Sequence, residues 1–227
     1  MLAVLYDLHG NLPALEAVLD DAGRAGADRF LLGGDYALFG PEPYQTVCRL
    51  RDLDAVWIRG NGERWTASPA QAPDDDVVRS AIEASRAELG DAVAELAALP
   101  EQFVTATARF CHASPLSDVR GFPPEPGDDE DALIAGAHEP RLVFGHTHLQ
   151  FRRPAAGGGI ELVNPGSVGM PFDGDPRAGY ALVTDDESLE LRRVEYDHDA
   201  SAAAVAERFP GFGETIARRI SQAAYVA

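Results

Sequence analysis

The stretch Leu5-Tyr6-Asp7-Leu8-His9-Gly10-Asn11 places a carboxylate and an imidazole two residues apart, where an apolar run ends. Residues 1–6 predict a short buried strand, and a helical pattern follows the stretch directly. Alternate side chains of extended backbone point to one face, so Asp7 and His9 are expected to converge on one point. Converging oxygen and nitrogen ligands suggest a metal ion. A surface loop with two polar residues is the simpler explanation of this pair taken alone.

Length and composition are those of an ordinary globular protein. The 227 residues suffice for one domain with a substantial core, and 45% hydrophobic with 25% charged residues is typical of folded chains. No apolar run approaches the roughly 20 residues that span a bilayer, and the first residues lack the pattern of a secretory signal. Cys48 and Cys111 indicate no disulfide framework and fit a reducing compartment. We therefore expect a cytoplasmic protein without a membrane partner.

The strongly acidic composition limits the partners. A formal net charge of -18 repels the phosphate backbone of extended nucleic acid, which we therefore exclude as a partner. A small phosphorylated substrate is still compatible, because bound metal cations reverse the local field.

The spacing of apolar residues predicts alternating strands and helices. Asn11 stands at an N-cap position before a helix, and the strand–helix–strand opening predicts a parallel pair with a crossover helix. The predicted strands are residues 1–6, 29–32, 55–58, 103–111 (a strand or a hairpin), 142–144, 160–163, 180–183 and 189–191. The predicted helices are residues 12–25, 43–53, 75–99 (one helix, or two broken near Gly90), about 129–137, and one or two within 200–227.

Four further polar clusters each follow an apolar strand, as Asp7 and His9 do. They are Gly34-Asp35, Gly60-Asn61, His112 and Gly145-His146-Thr147-His148. The carboxyl ends of strands in open α/β folds form the ligand-binding crevice, and glycine lets the backbone turn sharply there. Any one cluster is explained by a turn, but five clusters of metal-ligand chemistry are not. We therefore expect a metal site.

The same residues resemble the motifs of the calcineurin-like metallophosphoesterases. The family pattern is Asp-x-His, Gly-Asp, Gly-Asn-His-Asp/Glu, His and Gly-His-x-His. Here it reads Asp7-Leu8-His9, Gly34-Asp35, Gly60-Asn61-Gly62-Glu63, His112 and Gly145-His146-Thr147-His148, in that order. Asn164-Pro165-Gly166-Ser167-Val168-Gly169 and Asp173-Gly174-Asp175-Pro176-Arg177 are similar to the small bacterial and archaeal YfcE-like branch.

The resemblance implies an α/β fold, a four-layer α-β-β-α sandwich of two mixed sheets flanked by helices. Residues 1–227 would form a single domain, with insertions at about 64–100 and 114–135 whose walls select the substrate and with C-terminal helices at about 200–227.

The resemblance also implies two divalent metal ions, of Mn, Fe or Zn, with Mn favoured. Two cations about 3.5–4 Å apart hold a bridging hydroxide and the phosphate oxygens during in-line attack. Asp35, Asn61 and His112 would act catalytically through these metals. The ligands of the first metal would be Asp7, His9, Asp35 and His148, and those of the second Asp35, Asn61, His112 and His146, with Asp35 bridging.

Gly62 departs from the family pattern, which has histidine at this position. The resemblance implies that this histidine helps to protonate the leaving group or to bind phosphate, and glycine does neither. A missing general acid costs typically 10²–10⁴-fold in rate where it is needed, and it is needed least for good leaving groups. We therefore favour phosphodiester or nucleotide-type substrates over simple alkyl monoesters.

Other residues are weaker candidates. Asn11, Arg59, Ser114 and Arg177 are candidate substrate contacts, although Asn11 is equally an N-cap and Arg177 suits a surface ion pair. Glu63 is a candidate for orienting a metal ligand.

The preferred hypothesis is a metal-dependent phosphoesterase, a hydrolase. Within this class, a diadenosine tetraphosphate-type hydrolase and a serine/threonine protein phosphatase are the alternatives. A non-catalytic metal-binding scaffold, like the retromer subunit of the same superfamily, is an alternative of another class. Every ligand position is filled here, which favours the enzyme. The sequence leaves the substrate, the metal and the oligomeric state open.

Overall fold

The computed structural model describes residues 1–226, which contain ten strands and eight α-helices. The strands are β1 (Leu2–Leu5), β2 (Arg29–Leu32), β3 (Ala55–Trp57), β4 (Gln102–Val104), β5 (Ala108–Cys111), β6 (Arg141–Val143), β7 (Phe151–Pro154), β8 (Glu161–Asn164), β9 (Ala178–Val183) and β10 (Leu189–Val194). The helices are α1 (Leu12–Arg24), α2 (Pro43–Arg51), α3 (Asn61–Ala67), α4 (Asp76–Leu89), α5 (Ala92–Ala97), α6 (Glu130–Leu133), α7 (His198–Arg208) and α8 (Phe212–Gln222). Within residues 1–226 none of the helices has both the length and the apolar character that crossing a membrane requires.

The opening β1–α1–β2 unit forms as the sequence predicts. Asn11 caps α1 by accepting a hydrogen bond from the Ala14 N–H at 3.4 Å, with Pro13 in the first turn. Apolar residues at helical spacing are buried along one side of α1. β1 pairs in parallel with β2 from Leu2 opposite Arg29 to Leu5 opposite Leu32. This pairing brings the loops after β1 and β2 together at one sheet edge.

Two mixed five-stranded sheets form the centre of the protein, so the predicted fold class is confirmed. The strand orders are β10-β9-β1-β2-β3 and β4-β5-β6-β8-β7. In each sheet three parallel strands stand side by side, β1, β2 and β3 in the first and β5, β6 and β8 in the second. α1, α2 and α5 pack against the first sheet, and α6 packs against the second.

The two sheets face each other across an apolar interior. Val4 and Leu31 of the first sheet pack with Phe110 and Val143 of the second, and all four are buried. The Tyr6 hydroxyl in this layer donates to the Val143 carbonyl at 3.0 Å, so its buried polar atom is satisfied. Full burial of such an aliphatic or aromatic side chain contributes about 1.5–3 kcal/mol. The interior therefore holds the two sets of parallel strands, and with them the loops at their ends, in one relative position.

Of the two alternatives for residues 75–99, two helices broken near Gly90 are confirmed, and Gly90 adopts a positive φ of +52° between α4 and α5. Two other elements differ from the sequence prediction. α3, which begins at Asn61, is not among the predicted helices. The strand β7 was not predicted, since Arg152 and Arg153 interrupt its apolar pattern, and it exists as an edge strand paired with β8.

Candidate metal centre

The polar residues at the strand ends share an unusual backbone conformation. Asp7, His9, Asp35, His146 and His148 have φ values of 54°, 49°, 57°, 67° and 59°. The left-handed region costs a residue with a side chain about 1–3 kcal/mol. The expectation that Asp7 and His9 converge from extended backbone is therefore wrong, since β1 ends at Leu5 and left-handed turns redirect both side chains. Strain concentrated at five residues, three after strands of the first sheet and two after β6 of the second, is typical of a functional site.

Backbone hydrogen bonds join the loops that carry these residues. The Asp7 N–H donates to the Gly34 carbonyl at 3.2 Å, and the His9 N–H donates to the Asp35 carbonyl at 2.9 Å. The Ser167 hydroxyl donates to the Asp7 carbonyl at 2.7 Å. The loops after β1, β2 and β8 therefore form one hydrogen-bonded layer beneath the side chains, which offsets part of the backbone strain.

His9 and His148 face each other with two unprotonated nitrogens. Their Nδ1 atoms donate to the carbonyls of Leu38 at 2.9 Å and Met170 at 2.6 Å, so each Nε2 carries a lone pair. The two Nε2 atoms are 3.0 Å apart. Burial lowers the pKa of His9 to about 3 and that of His148 well below its usual range, so a proton does not bridge them. Two nitrogens about 2.1 Å from one cation at a right angle would lie about 3 Å apart.

Asp7 lies between this pair and a third histidine, His112. Its Oδ1 atom is buried and has no hydrogen-bond partner among residues 1–226, whereas its Oδ2 atom accepts from the His146 N–H at 2.9 Å. Oδ1 is 3.7 Å from His148 Nε2 and 3.8 Å from His112 Nε2. Burial raises the pKa of Asp7 to about 8, because no compensating cation lies next to its carboxylate. A bound cation would satisfy this oxygen.

His112, Asn61 and Asp35 form the other part of the site. His112 Nδ1 donates to the Gly33 carbonyl at 2.9 Å, which leaves a lone pair on Nε2. That atom is 2.9 Å from the Asn61 side-chain oxygen and 3.5 Å from Asp35 Oδ1. The same Asn61 oxygen is 2.8 Å from His146 Nδ1. Either a cation or a rotation of the Asn61 amide satisfies these contacts.

The side chains thus form two groups whose ligand atoms lie within 4.8 Å of one another. One group is Asp7, His9 and His148, and the other is Asp7, Asp35 and His112. All members are buried, and their mixed oxygen and nitrogen donors suit a divalent transition metal. Asp7 belongs to both groups. The bridging role of Asp35 stays a prediction.

Residues 1–188 match the family model of the calcineurin-like phosphoesterase superfamily domain. The chain belongs to this family. A solved metallophosphoesterase from Sphaerobacter thermophilus is 27% identical, covers 98% of each chain and has a TM-score of 0.80. The phosphoesterase Yfce from E. coli is 25% identical over 86% of this chain and 99% of its own, with a TM-score of 0.50. An uncharacterized protein of Methanocaldococcus jannaschii is 29% identical over 219 residues, 87% of this chain and 88% of the relative. The resemblance noted in the sequence is confirmed.

Glu63, in the third motif of this phosphoesterase family, holds two site loops together. Its Oε2 atom accepts from the N–H groups of Asp35 at 2.9 Å and Gly60 at 2.8 Å, and its Oε1 atom accepts from the Tyr36 N–H at 2.8 Å. The side chain is 5% exposed. A buried carboxylate with three backbone donors therefore fixes Asp35 relative to the start of α3. The sequence signal was an acidic residue three positions after the helix N-cap.

Gly62, where the phosphoesterase family has histidine, is packed against Asp35. Its N–H donates to Asp35 Oδ1 at 2.7 Å, and a Cβ atom at this position would lie 2.8 Å from the same oxygen. A side chain at this position therefore requires the Asp35 carboxylate to move.

Two of the candidate substrate contacts lie beside the metal centre. Ser114 and Arg59 line a polar cavity of about 240 Å³ that also includes His112. Arg59 forms an ion pair with Glu101 and donates to the Ala97 carbonyl at 3.2 Å. This cavity is bordered by both predicted insertions, 64–100 and 114–135.

The structure does not bring the other two candidates to the site. Asn11 is fully buried, donates to the Gly169 carbonyl at 2.8 Å and accepts from the Ser201 hydroxyl at 3.0 Å, so it has the capping role that was the alternative. Arg177 is exposed and forms an ion pair with Asp175 at 2.6 Å. The partners of Asn11 come from distant segments, whereas the ion-pair partner of Arg177 lies two residues away in the same motif, as the surface ion pair suggested in the sequence requires.

Proposed function

We propose that this protein is a dinuclear metal-dependent phosphoesterase that hydrolyses a small phosphodiester or nucleotide-type substrate through one domain, residues 1–227. The observation that carries the proposal is the facing pair of His9 and His148 Nε2 lone pairs, 3.0 Å apart, beside the unpartnered buried Oδ1 of Asp7. Lone-pair atoms that are buried together without hydrogen-bond partners destabilise a fold unless a cation binds them.

The proposed ligands follow the family motifs. Asp7, His9, Asp35 and His148 would hold the first cation, and Asp35, Asn61, His112 and His146 the second. When bound, the two cations supply an activated water and positive charge for the phosphoryl oxygens. The mixed carboxylate, amide and imidazole donors suit Mn²⁺, Fe or Zn²⁺, and we propose Mn²⁺ as the first of these to test.

Three of the four histidines proposed as metal ligands are held in place by backbone carbonyls. In His9, His112 and His148 the Nδ1–H is held by a backbone carbonyl, and Nε2 faces other ligand atoms. None of these three is therefore free to protonate a leaving group. This arrangement supports substrates whose leaving group departs as a stable anion, such as a phenolate or a nucleoside phosphate.

The decisive experiment is hydrolysis of bis-p-nitrophenyl phosphate by the purified protein with Mn²⁺. We expect turnover that Asp35→Asn abolishes, while circular dichroism shows that this variant is folded. A panel of dinucleotides, cyclic nucleotides and phosphopeptides then separates a general phosphodiesterase from a diadenosine tetraphosphate-type hydrolase and a protein phosphatase. Full metal loading without turnover above the Asp35→Asn level on every compound would favour a metal-binding scaffold instead.

A further inference from the structure

The polar cavity beside His112 contains an arginine that no motif marks. Its walls include Arg64, Asp118 and Ser114, as well as His112 itself. Because His112 is a proposed metal ligand, the cavity is directly adjacent to the place where a phosphoryl group would bind. A group esterified to that phosphate would extend into the cavity.

Arg64 reaches the cavity because it lies one helical turn after Asn61. Residues three apart in a helix lie on the same side, so α3 presents the amide and the guanidinium together. Arg64 Nε and Nη2 donate to Asp118 Oδ2 at 2.6 Å and Oδ1 at 2.7 Å, and Nη1 donates to Gln71 at 3.0 Å. Arg64 and Asp118 side chains are only 23% and 22% exposed. The guanidinium is therefore held rigidly and largely out of bulk water.

The guanidinium keeps donors for a ligand. Arginine has five N–H donors, and the described bonds of Arg64 use three, which leaves one on each terminal nitrogen. The ion pair lies close to the metal centre, since the backbone carbonyl oxygen of Asp118 is 3.0 Å from the Asn61 side-chain oxygen and Arg64 lines the same cavity as His112. Charge developing on an oxygen in such a water-poor site is stabilised strongly by a preorganised donor.

We propose that Arg64 donates a hydrogen bond to the leaving-group oxygen of the substrate, an inference that rests on the proposed phosphoesterase function. The phosphorus–oxygen bond to water forms as the bond to the leaving group breaks, and the electron pair of the broken bond goes to the leaving oxygen. Arg64 keeps its proton and stabilises the negative charge on that oxygen. The attacking water releases a proton to solvent, and the leaving oxygen takes one from solvent. Arg64 thereby stabilises the leaving group in a site where Gly62 stands in place of the motif histidine.

The test is a series of aryl phosphodiesters whose phenols span a range of acidity, hydrolysed with Mn²⁺ present. For Arg64→Gln we expect kcat/KM to fall about 10²-fold with the least acidic phenol, but less than about threefold with the most acidic. A plot of log kcat/KM against phenol pKa should therefore be steeper than for the wild type. Arg64→Lys keeps the charge and should give an intermediate slope.

Arg192→Gln is the matched control. Arg192 makes a similar two-point ion pair with Asp21 at 2.9 and 3.3 Å, with side chains 29% and 20% exposed, and it does not line the cavity. This variant should keep the wild-type slope. Metal content and the thermal unfolding midpoint, measured for every variant, should show that Arg64→Gln remains folded and loaded.

The slope of log kcat/KM against phenol pKa tests the role of Arg64, whereas turnover by the wild-type protein tests the proposed function. If Arg64→Gln and Arg64→Lys both lower kcat/KM equally across the series, Arg64 only anchors the loop that contains Asp118, and the inference is overturned. It is also overturned if Arg64→Gln loses its metals while Arg64→Lys, still loaded, keeps the wild-type slope. Absence of turnover by the loaded wild-type protein would instead overturn the proposed function itself.

Discussion

Replacing Glu63 by glutamine should destabilise the fold, although the two side chains have nearly the same shape. The carboxylate accepts three backbone N–H bonds at 2.8–2.9 Å, from Asp35, Gly60 and Tyr36. Glutamine has one oxygen, which in its best orientation serves Asp35 and Gly60 and turns its NH₂ group against the Tyr36 N–H. One bond to a charged acceptor, worth about 1.5–3 kcal/mol, is lost, and a buried donor is left unsatisfied at a further cost of about 1–3 kcal/mol. We expect a total loss of about 2.5–6 kcal/mol.

Urea unfolding in excess EDTA measures this loss without a contribution from metal binding. Glu83→Gln on the exposed side of α4 is the control, and it should change the free energy of unfolding by no more than about 0.5 kcal/mol. Metal titration of Glu63→Gln should also show weaker binding, because Asp35 loses its backbone anchor. A free energy of unfolding within about 0.5 kcal/mol of the wild type would refute the role assigned to Glu63.

Three other changes have defined outcomes. Gly62→Ala places a methyl group 2.8 Å from Asp35 Oδ1, so calorimetry should show metal affinity reduced by about 10-fold or more, and unchanged affinity would contradict the packing described. In EDTA, Asp7 with its pKa raised to about 8 binds a proton in the folded state between about pH 4 and pH 8, whereas the unfolded chain does not. Wild-type stability relative to Asp7→Asn should therefore fall as pH rises through this range, and a constant difference in urea unfolding would count against it. Burial raises the pKa of Cys111, so a thiol reagent should modify Cys48 in the native protein and Cys111 only after unfolding; early labelling of Cys111 would disagree with its burial.

The local signals of the chain predicted much of the fold. The bounds of β2 matched the sequence prediction. The end of α1 lies within one residue of its predicted end, because Asn11 and Pro13 mark the start of this helix and Gly26 lies just beyond it. α3 was missed because its short, glycine-containing sequence has weak helical character, and its start is held by the bonds of Glu63 to another loop. Such an element depends on partners distant in the sequence.

The amino-acid sequence by itself determined the chemistry of the site. Candidate metal ligands could be identified from the residue types and from their positions after apolar strands. They include Asp7, His9, Asp35, Asn61 and His148. The family followed from the same residues and their order, as the match over residues 1–188 shows. The glycine that replaces histidine in the third motif is likewise apparent from the amino-acid sequence alone.

Only the tertiary structure decided which atoms meet. His9 and His148 are 139 residues apart, yet their Nε2 atoms lie at 3.0 Å with carbonyls holding both tautomers. The pairing of Arg64 with Asp118 likewise depends on how α3 packs against a loop 54 residues away. The physical reason is that donor chemistry belongs to each residue, whereas distance, burial and shared hydrogen bonds arise when the two sheets pack. The sequence of the first stretch therefore predicts that Asp7 and His9 are metal ligands, but their left-handed backbone conformation and their contacts with distant residues are seen only in the folded protein.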